Sequence, residues 1–274
     1  MAEYHCTLAK KFNPDKHDVR GWVCSEKLDG VRALWCPTRR GFFSRSNKPL
    51  NVPTAWLDRF ETIEVRLDGE FFMGRGRFQD TVSAVRKKAP TDEQFDGVQF
   101  VVFDCITEGN HNQRLATAIA SLVDSGFNMD GTDIVWALKH YDVQTIEGAQ
   151  GMYRTILEKG GEGMMFRNPA AGYEMKRTGN LLKWKDEIDG IATVVGFDPG
   201  LGKHEGRVGA LVCTCDETHA CFRVGTGLSD AEREWWQNAA PCIDGRHKIR
   251  WRAMERTNDN IPRHPVYAGL YNGE

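Results

Sequence analysis

Lys27 stands in the run Ser25-Glu26-Lys27-Leu28-Asp29-Gly30-Val31-Arg32, and four later segments bring acids, an aromatic and further lysines in order behind it. They are Leu67-Asp68-Gly69-Glu70, Val102-Phe103-Asp104, Glu162-Gly163-Met164-Met165 and Leu182-Lys183-Trp184-Lys185. A lysine amine attacks phosphorus only when unprotonated, and free lysine keeps its proton up to a pKa of about 10.4. Neighbouring cations lower that value, and the same cations neutralise phosphate charge during attack. Lys183, Lys185 and a bound metal would provide them if they lie near Lys27. Each segment alone has an ordinary explanation. Lys-x-Asp-Gly is also a strand-end turn, Glu70 a strand-end acid, Phe103 a core aromatic in an apolar run, and Glu162 a solvated glutamate among glycines. Five of them in this order make coincidence a poor account.

Local chemistry sharpens the pattern. Glycines on both sides of Glu162 free the backbone and expose an acid at a strand start, which suits a hard cation such as Mg2+. Lys183 and Lys185 flank Trp184, so strand alternation points both lysines to one face and the indole to the other. Gly30 would allow close approach of backbone to a nucleotide. Arg32 offers a planar fork for a ribose or phosphate oxygen, or pairs with Asp29.

Taken together, the five segments resemble the nucleotidyltransferase motifs of ATP-dependent DNA ligases, a superfamily shared with RNA ligases and mRNA capping enzymes. The resemblance implies that Lys27 is the adenylated nucleophile and that Ser25, Arg32, Arg45, Glu70, Phe103, Glu162, Lys183 and Lys185 surround the nucleotide. It implies further that Phe103 stacks on adenine, that Glu70 and Glu162 serve a metal, and that Arg263, in Ile261-Pro-Arg-His-Pro-Val266, is a shortened form of the family's pyrophosphate-orienting segment. The implied cofactors are ATP and Mg2+, with Mn2+ as an alternative, and the implied partner is nicked double-stranded DNA. AMP would pass from Lys27 to the 5′-phosphate of a nick, and the 3′-hydroxyl would then displace it, a chemistry used in DNA repair, replication and recombination. With 26 residues before Lys27 there is no room for the upstream domain of NAD-dependent ligases, so ATP is the expected donor. The chain looks like a minimal two-domain ligase of the kind found in phages and some bacteria. An RNA ligase or another lysine nucleotidyltransferase is the alternative.

The elements that must position these residues read as an α+β fold, a nucleotidyltransferase (ATP-grasp-like) adenylation domain followed by a β-barrel OB-fold domain. β-Branched and aromatic runs predict strands over 22–24, 31–36, 41–43, 65–73, 98–105, 163–166 and 181–184, and helical periodicity covers 78–88, 113–125 and 145–159. A polar, glycine-ended joint at Asp186-Glu187-Ile188-Asp189-Gly190 divides residues 1–188 from 189–274. Beyond it, strands over 191–198, 207–215, 220–224 and 247–254 and a helix over 229–238 suit a small barrel. Gly200-Leu-Gly-Lys-His-Glu-Gly206-Arg-Val-Gly209 and Val224-Gly-Thr-Gly-Leu-Ser-Asp resemble segments of the DNA ligase OB domain, which favours ligase over capping enzyme.

Composition bounds the rest. At 274 residues with 41% hydrophobic and 27% charged, the chain is an ordinary globular one, with no membrane-length apolar run, no secretory signal and no P-loop. The expectation is a cytoplasmic monomer with no obligate protein partner. A formal charge of −2 does not advertise nucleic-acid binding, yet local basic groups suffice for phosphates, and Arg75, Arg77, Arg86, Lys87 and Lys88 are the candidate DNA-facing surface. The eight cysteines are scattered and read as reduced thiols. Cys213, Cys215, His219 and Cys221 are dense enough to weigh as a zinc site, but alternation within a hairpin explains them better.

Overall fold

The computed structural model describes residues 5–239, 245–253, 255–257 and 259–273, and the chain divides into two compact units, Met1–Lys185 and Asp186–Glu274. The first unit is built on two sheets. One has five strands in the order Leu8–Lys11, Arg177–Trp184, Gly163–Arg167, Val23–Lys27 and Tyr141–Asp142. The other has six, in the order Pro49–Leu50, Gly41–Ser44, Val31–Cys36, Leu67–Phe72, Gln99–Cys105 and Val135–Ala137.

Aromatic content explains why the second sheet forms where it does. Trp35, Phe42, Phe60, Phe71 and Phe100 are fully buried, and Phe42 alone has ring neighbours at 5.0 Å in Phe60, Phe71 and Phe100. Edge and tilted contacts of this kind add to the large apolar area each ring removes from water. The five-stranded sheet has its own core of Phe12, Tyr153, Met164, Phe166 and Leu182, with Trp184 packed against it. Trp184 lies flat on Tyr153 at 4.2 Å, so the indole faces the core, as alternation along its strand requires.

Helices brace the sheets. Asn110 caps the helix His111–Asp124 in a reciprocal pair with Gln113, and the Thr145 side chain caps Ile146–Glu158 through the Gly148 amide. The helix Phe78–Val85 ends three residues short of the expected 88, so Lys87 and Lys88 fall beyond it. Strands Leu8–Lys11, Pro49–Leu50, Val135–Ala137 and Tyr141–Asp142 and the helix Thr54–Arg59 lie outside the runs that periodicity picks out.

The second unit is a five-stranded sheet in the order Cys221–Val224, Val208–Cys215, Ile188–Pro199, Lys248–Ala253 and Val266–Tyr271. Just past one edge strand, Thr226 bridges Val266 of the opposite edge, so the sheet curls until its edges meet, as an OB-fold does. The helix Asp230–Ala239 buries Trp236, and Arg233 donates to the Val208, Gly209 and Gly225 carbonyls at 2.6–2.8 Å. Cys213 and Cys215 are buried in a strand, Cys221 is exposed, and His219 turns the hairpin at φ 59°. Among the described residues no group of three or more His, Cys, Asp or Glu could hold a metal ion. Cys242 lies outside the described residues.

Candidate active site

Lys27 ends one strand and Val31 opens the next, in the other sheet, so Leu28-Asp29-Gly30 is the crossover between the two sheets. A Cβ on Gly30 would stand 2.1 Å from the Phe71 carbonyl oxygen and 2.8 Å from Glu70 Cγ. The close approach that this glycine permits is therefore to the Glu70 strand, which is a nearer cause than contact with a nucleotide. Crossing here brings the two sheets together around one pocket, lined by Ser25, Lys27, Arg32, Glu70 and Phe103 with Leu28, Leu138, Met165 and Leu181 as its apolar walls. Glu26 and Arg167 complete the lining.

Glu162 reaches Lys27 because its strand, Gly163–Arg167, lies between the Lys27 strand and Arg177–Trp184, with Gly163 opposite Lys27 and Met164 opposite Trp184. Gly163 sits at φ 153°, and a Cβ there would meet the Trp184 carbonyl oxygen at 2.2 Å. Lys27 Nζ donates to Glu162 Oε2, and Lys185 Nζ donates to Oε1 at 2.9 Å. Burial works to raise the Glu162 carboxyl, but Lys27 and Lys185 outweigh it and hold the group below the usual carboxylate range. Burial, helped by Lys185 and Lys27, pushes Lys183 below the usual lysine range. Lys183 is registered opposite Met165, a pocket wall.

Glu70 is the opposite case. It pairs in register with Arg32 across the sheet, yet burial pushes its carboxyl up to about 7 against the pull of Lys27 and Arg32. Arg32 spends two donors on Asp68, at 2.6 Å to Oδ1 and 2.5 Å to Oδ2, and Asp68 also accepts from the Tyr173 hydroxyl at 2.6 Å. The Arg32 guanidinium carbon lies 4.8 Å from the Phe103 ring centre, so the half-buried ring forms pocket wall rather than deep core.

Behind Phe103, the buried Asp104 accepts from Arg114 Nε at 2.8 Å and Arg167 Nη1 at 2.7 Å. Burial opposes its charge, but these arginines with His111 hold the carboxyl far below the usual range. Sequence alone did not flag Arg114, Arg167 or Tyr173. A buried arginine, whether on a helix like Arg114 or a strand like Arg167, gives no signal until the acid it faces is known, and Asp104 lies 63 residues before Arg167.

Other expected residues fall elsewhere. Arg45 lines a separate concavity with His5, Cys6, Leu8, Met175 and Lys176. Arg75 is tied to Glu26, and Arg77 donates to Asp80 at 2.8 Å, while Arg86, Lys87 and Lys88 are exposed after the helix Phe78–Val85. Arg263 belongs to the second unit, on the short strand Pro262–Arg263 paired with Glu255–Arg256.

Comparison with known proteins gives this geometry its context. Residues 6–185 match the model of the ATP dependent DNA ligase domain, and residues 199–270 match the DNA ligase OB-like domain. A DNA ligase of Haemophilus influenzae is 30% identical over 250 residues, spanning 91% of this chain and 86% of that protein. DNA ligase 2 of Methanosarcina acetivorans is 27% identical over 82% of this chain, but only 44% of that longer protein is covered. Among solved structures, one from a structure-function analysis of DNA binding with a minimal scaffold by Lig E DNA ligases aligns over 97% of this chain and 99% of its own. The TM-score there is 0.84 and the identity 25%. Chlorella virus DNA ligase-adenylate shares the fold at TM-score 0.57 and 23% identity, covering 98% of this chain and all of its own.

Proposed function

Because the chain belongs to the ATP-dependent DNA ligase family, we propose that the pocket at the sheet crossover is where it takes AMP from ATP onto Lys27. The enzyme is an ATP-dependent DNA ligase, which seals 3′-hydroxyl/5′-phosphate nicks in duplex DNA through a lysine–AMP intermediate and an adenylated 5′-phosphate. The observation that carries the assignment to this pocket is the Lys27–Glu162–Lys185 chain of contacts at its edge.

In this reading Lys27 Nζ attacks the α-phosphorus of ATP, a P–N bond forms and pyrophosphate leaves. Lys183 and Lys185 face the phosphates, Ser25 and Arg32 orient the nucleotide, and Phe103 offers its ring to the adenine between apolar walls. Glu70 and Glu162 fit a divalent ion, since Mg2+ takes one or two carboxylates and fills its remaining sites with water and phosphate oxygen. Glu70 lines the pocket and Glu162 holds the Lys27 amine at its edge, so both carboxylates stand within one site, which supports that fit. When bound, the ion supplies charge neutralisation at the phosphates. Arg45 and Arg263 are assigned to the nick phosphate or nucleotide and to pyrophosphate, and Arg77, Arg86, Lys87 and Lys88 to DNA, whereas Arg75, expected with that last group, is engaged by Glu26.

The proposed working form is a monomer with no obligate protein partner in a reducing cytoplasm, in keeping with the seven described cysteines, all unpaired. No described helix is long and apolar enough to cross a membrane. Size-exclusion of the protein with and without nicked DNA tests the monomer, and fractionation of cells tests the compartment.

The deciding experiment is sealing of a single-nick duplex in Mg2+ with ATP or NAD as sole cofactor, for the parent and Lys27→Ala. Sealing with ATP, lost in the variant together with the AMP mass increment, is expected. An AMP adduct without sealing would move the substrate to RNA.

A further inference from the structure

We propose that Arg75 is a positioning residue for the adenylation step, a strap that holds the Glu162 loop against the Lys27 strand. This rests on the assignment of Lys27 as the adenylated group, and it departs from the placing of Arg75 on a DNA-facing surface. A single guanidinium makes three contacts here. Nε donates to Glu26 Oε1 and Nη2 to Glu26 Oε2, both at 2.7 Å, and Nη1 donates to the Lys159 carbonyl at 3.2 Å. The first two form a bidentate pair, which fixes direction as well as distance.

What the three contacts join is more telling than their number. Arg75 sits in the turn leaving the Glu70 strand, between Gly74 at φ 107° and Gly76 at φ 73°, backbone conformations that glycine adopts without strain. Glu26 immediately precedes Lys27. Lys159 is the C-cap of the helix Ile146–Glu158, three residues before Glu162, so the cation also sits at the carbonyl end of that helix, where its sign is favourable. The strap therefore spans the segments carrying Glu70, Lys27 and Glu162.

The Glu26 carboxylate is wedged as well as paired. A Cβ on Gly161 would meet Glu26 Oε1 at 2.9 Å and Ile156 Cγ2 at 2.5 Å, so the Gly160-Gly161 turn closes directly on the group that Arg75 holds. Releasing the guanidinium frees the carboxylate on one side and the turn on the other, and the turn leads straight to Glu162. The Arg75 and Glu26 side chains are 35% and 21% exposed, so the pair sits at the edge of the fold and not within its apolar core. The contact therefore acts on geometry, where displacements of an ångström change rates strongly.

The test compares the parent with Arg75→Met, Glu26→Gln and the double variant in two measurements. One is single-turnover formation of the Lys27–AMP adduct at saturating ATP, followed by mass. The other is affinity for nicked DNA across a salt series. Each single variant is expected to slow adduct formation by about tenfold, and the double variant to be no slower than either, since both break one strap. Melting temperature and the salt slope of DNA binding are expected to stay at parental values. Arg75→Lys keeps the charge without the fork and is expected to restore little of the rate. The proposal is overturned if Arg75→Met charges at the parental rate while the salt slope falls by about one, the signature of a phosphate contact. It is also overturned if Glu26→Gln charges normally, since the residue would then act through another partner. A parent protein that takes up no AMP would sink the assignment of Lys27 instead.

Discussion

Two clusters of charge lie side by side in the first unit and obey opposite rules. In one, Asp68 and Asp104 are buried cross-strand neighbours, and Arg32, Arg114, Arg167 and Tyr173 between them satisfy both carboxylates. In the other, Lys27, Glu162, Lys185 and Glu70 stand around a pocket, and the two acids are driven apart, Glu162 below its ordinary range and Glu70 up to about 7. The first cluster is closed and does structural work. The second is left incomplete, which is what a site requires if phosphate and metal are to complete it. A β-bulge between Asp68 and Gly69 divides the two roles within a single four-residue motif.

Several substitutions would break or sharpen that contrast. Asp104→Asn strands two buried guanidinium groups and is expected to cost about 3–5 kcal/mol of stability, read by chemical denaturation. Adduct formation per folded molecule should persist at low temperature if the closed cluster is purely architectural. Glu162→Gln removes the charge, and one of the two acceptor oxygens, that Lys27 and Lys185 share and should slow adduct formation by roughly 100-fold, about 2.7 kcal/mol, with little change in melting temperature. Equal losses of stability from both variants would erase the distinction.

Glu70 gives a subtler effect through pH. Its folded-state pKa is raised from 4.5 to about 7, so the folded protein binds more protons than the unfolded chain in that window. Stability from this group is present below the unfolded value and is lost as pH rises towards 7. Glu70→Gln should therefore raise the melting temperature more at pH 8 than at pH 5. The same group should make Mg2+ compete with protons, so apparent Mg2+ affinity measured with the parent should rise between pH 6 and 8, and less so in Glu70→Gln. The smallest expected effect lies outside both clusters. Replacing Arg86, Lys87 and Lys88 together by Ala should weaken nicked-DNA binding a few-fold and flatten its salt slope, and an unchanged slope would remove that surface from DNA recognition.

Much of the open cluster was legible in the sequence, and so were the acids and Arg32 of the closed one, but not the other groups that close it. Lys27, Ser25, Arg32, Glu70 and Phe103 were read from spacing and family likeness and line one pocket, with Glu162 and Lys185 at the Lys27 amine. Motifs carry such groups because chemistry fixes their types. Arg114, Arg167 and Tyr173 had no such mark, since a buried arginine is defined by an acid distant in sequence. Arg75 shows a related limit of the sequence: a basic residue between glycines looks free until Glu26 is seen opposite. The short strands escaped because Leu-Ala-Lys-Lys and Tyr-Asp carry no alternation, and pairing to longer neighbours, not propensity, makes them extended.

The Lys27 sheet takes its strands from residues 8–27 and 141–184, whereas the aromatic six-stranded sheet is drawn from residues 31–137. A ribosome making this chain releases the lysine early and its counter-ion Glu162 much later. Local strand pairings close quickly and distant ones wait on loop closure. The aromatic sheet can therefore gather while Lys27 still hangs on an unpaired segment, and the amine meets Glu162 and Lys185 only after some 160 more residues have emerged. Strand order thus makes the surroundings of Lys27 among the later parts of the first unit to be assembled.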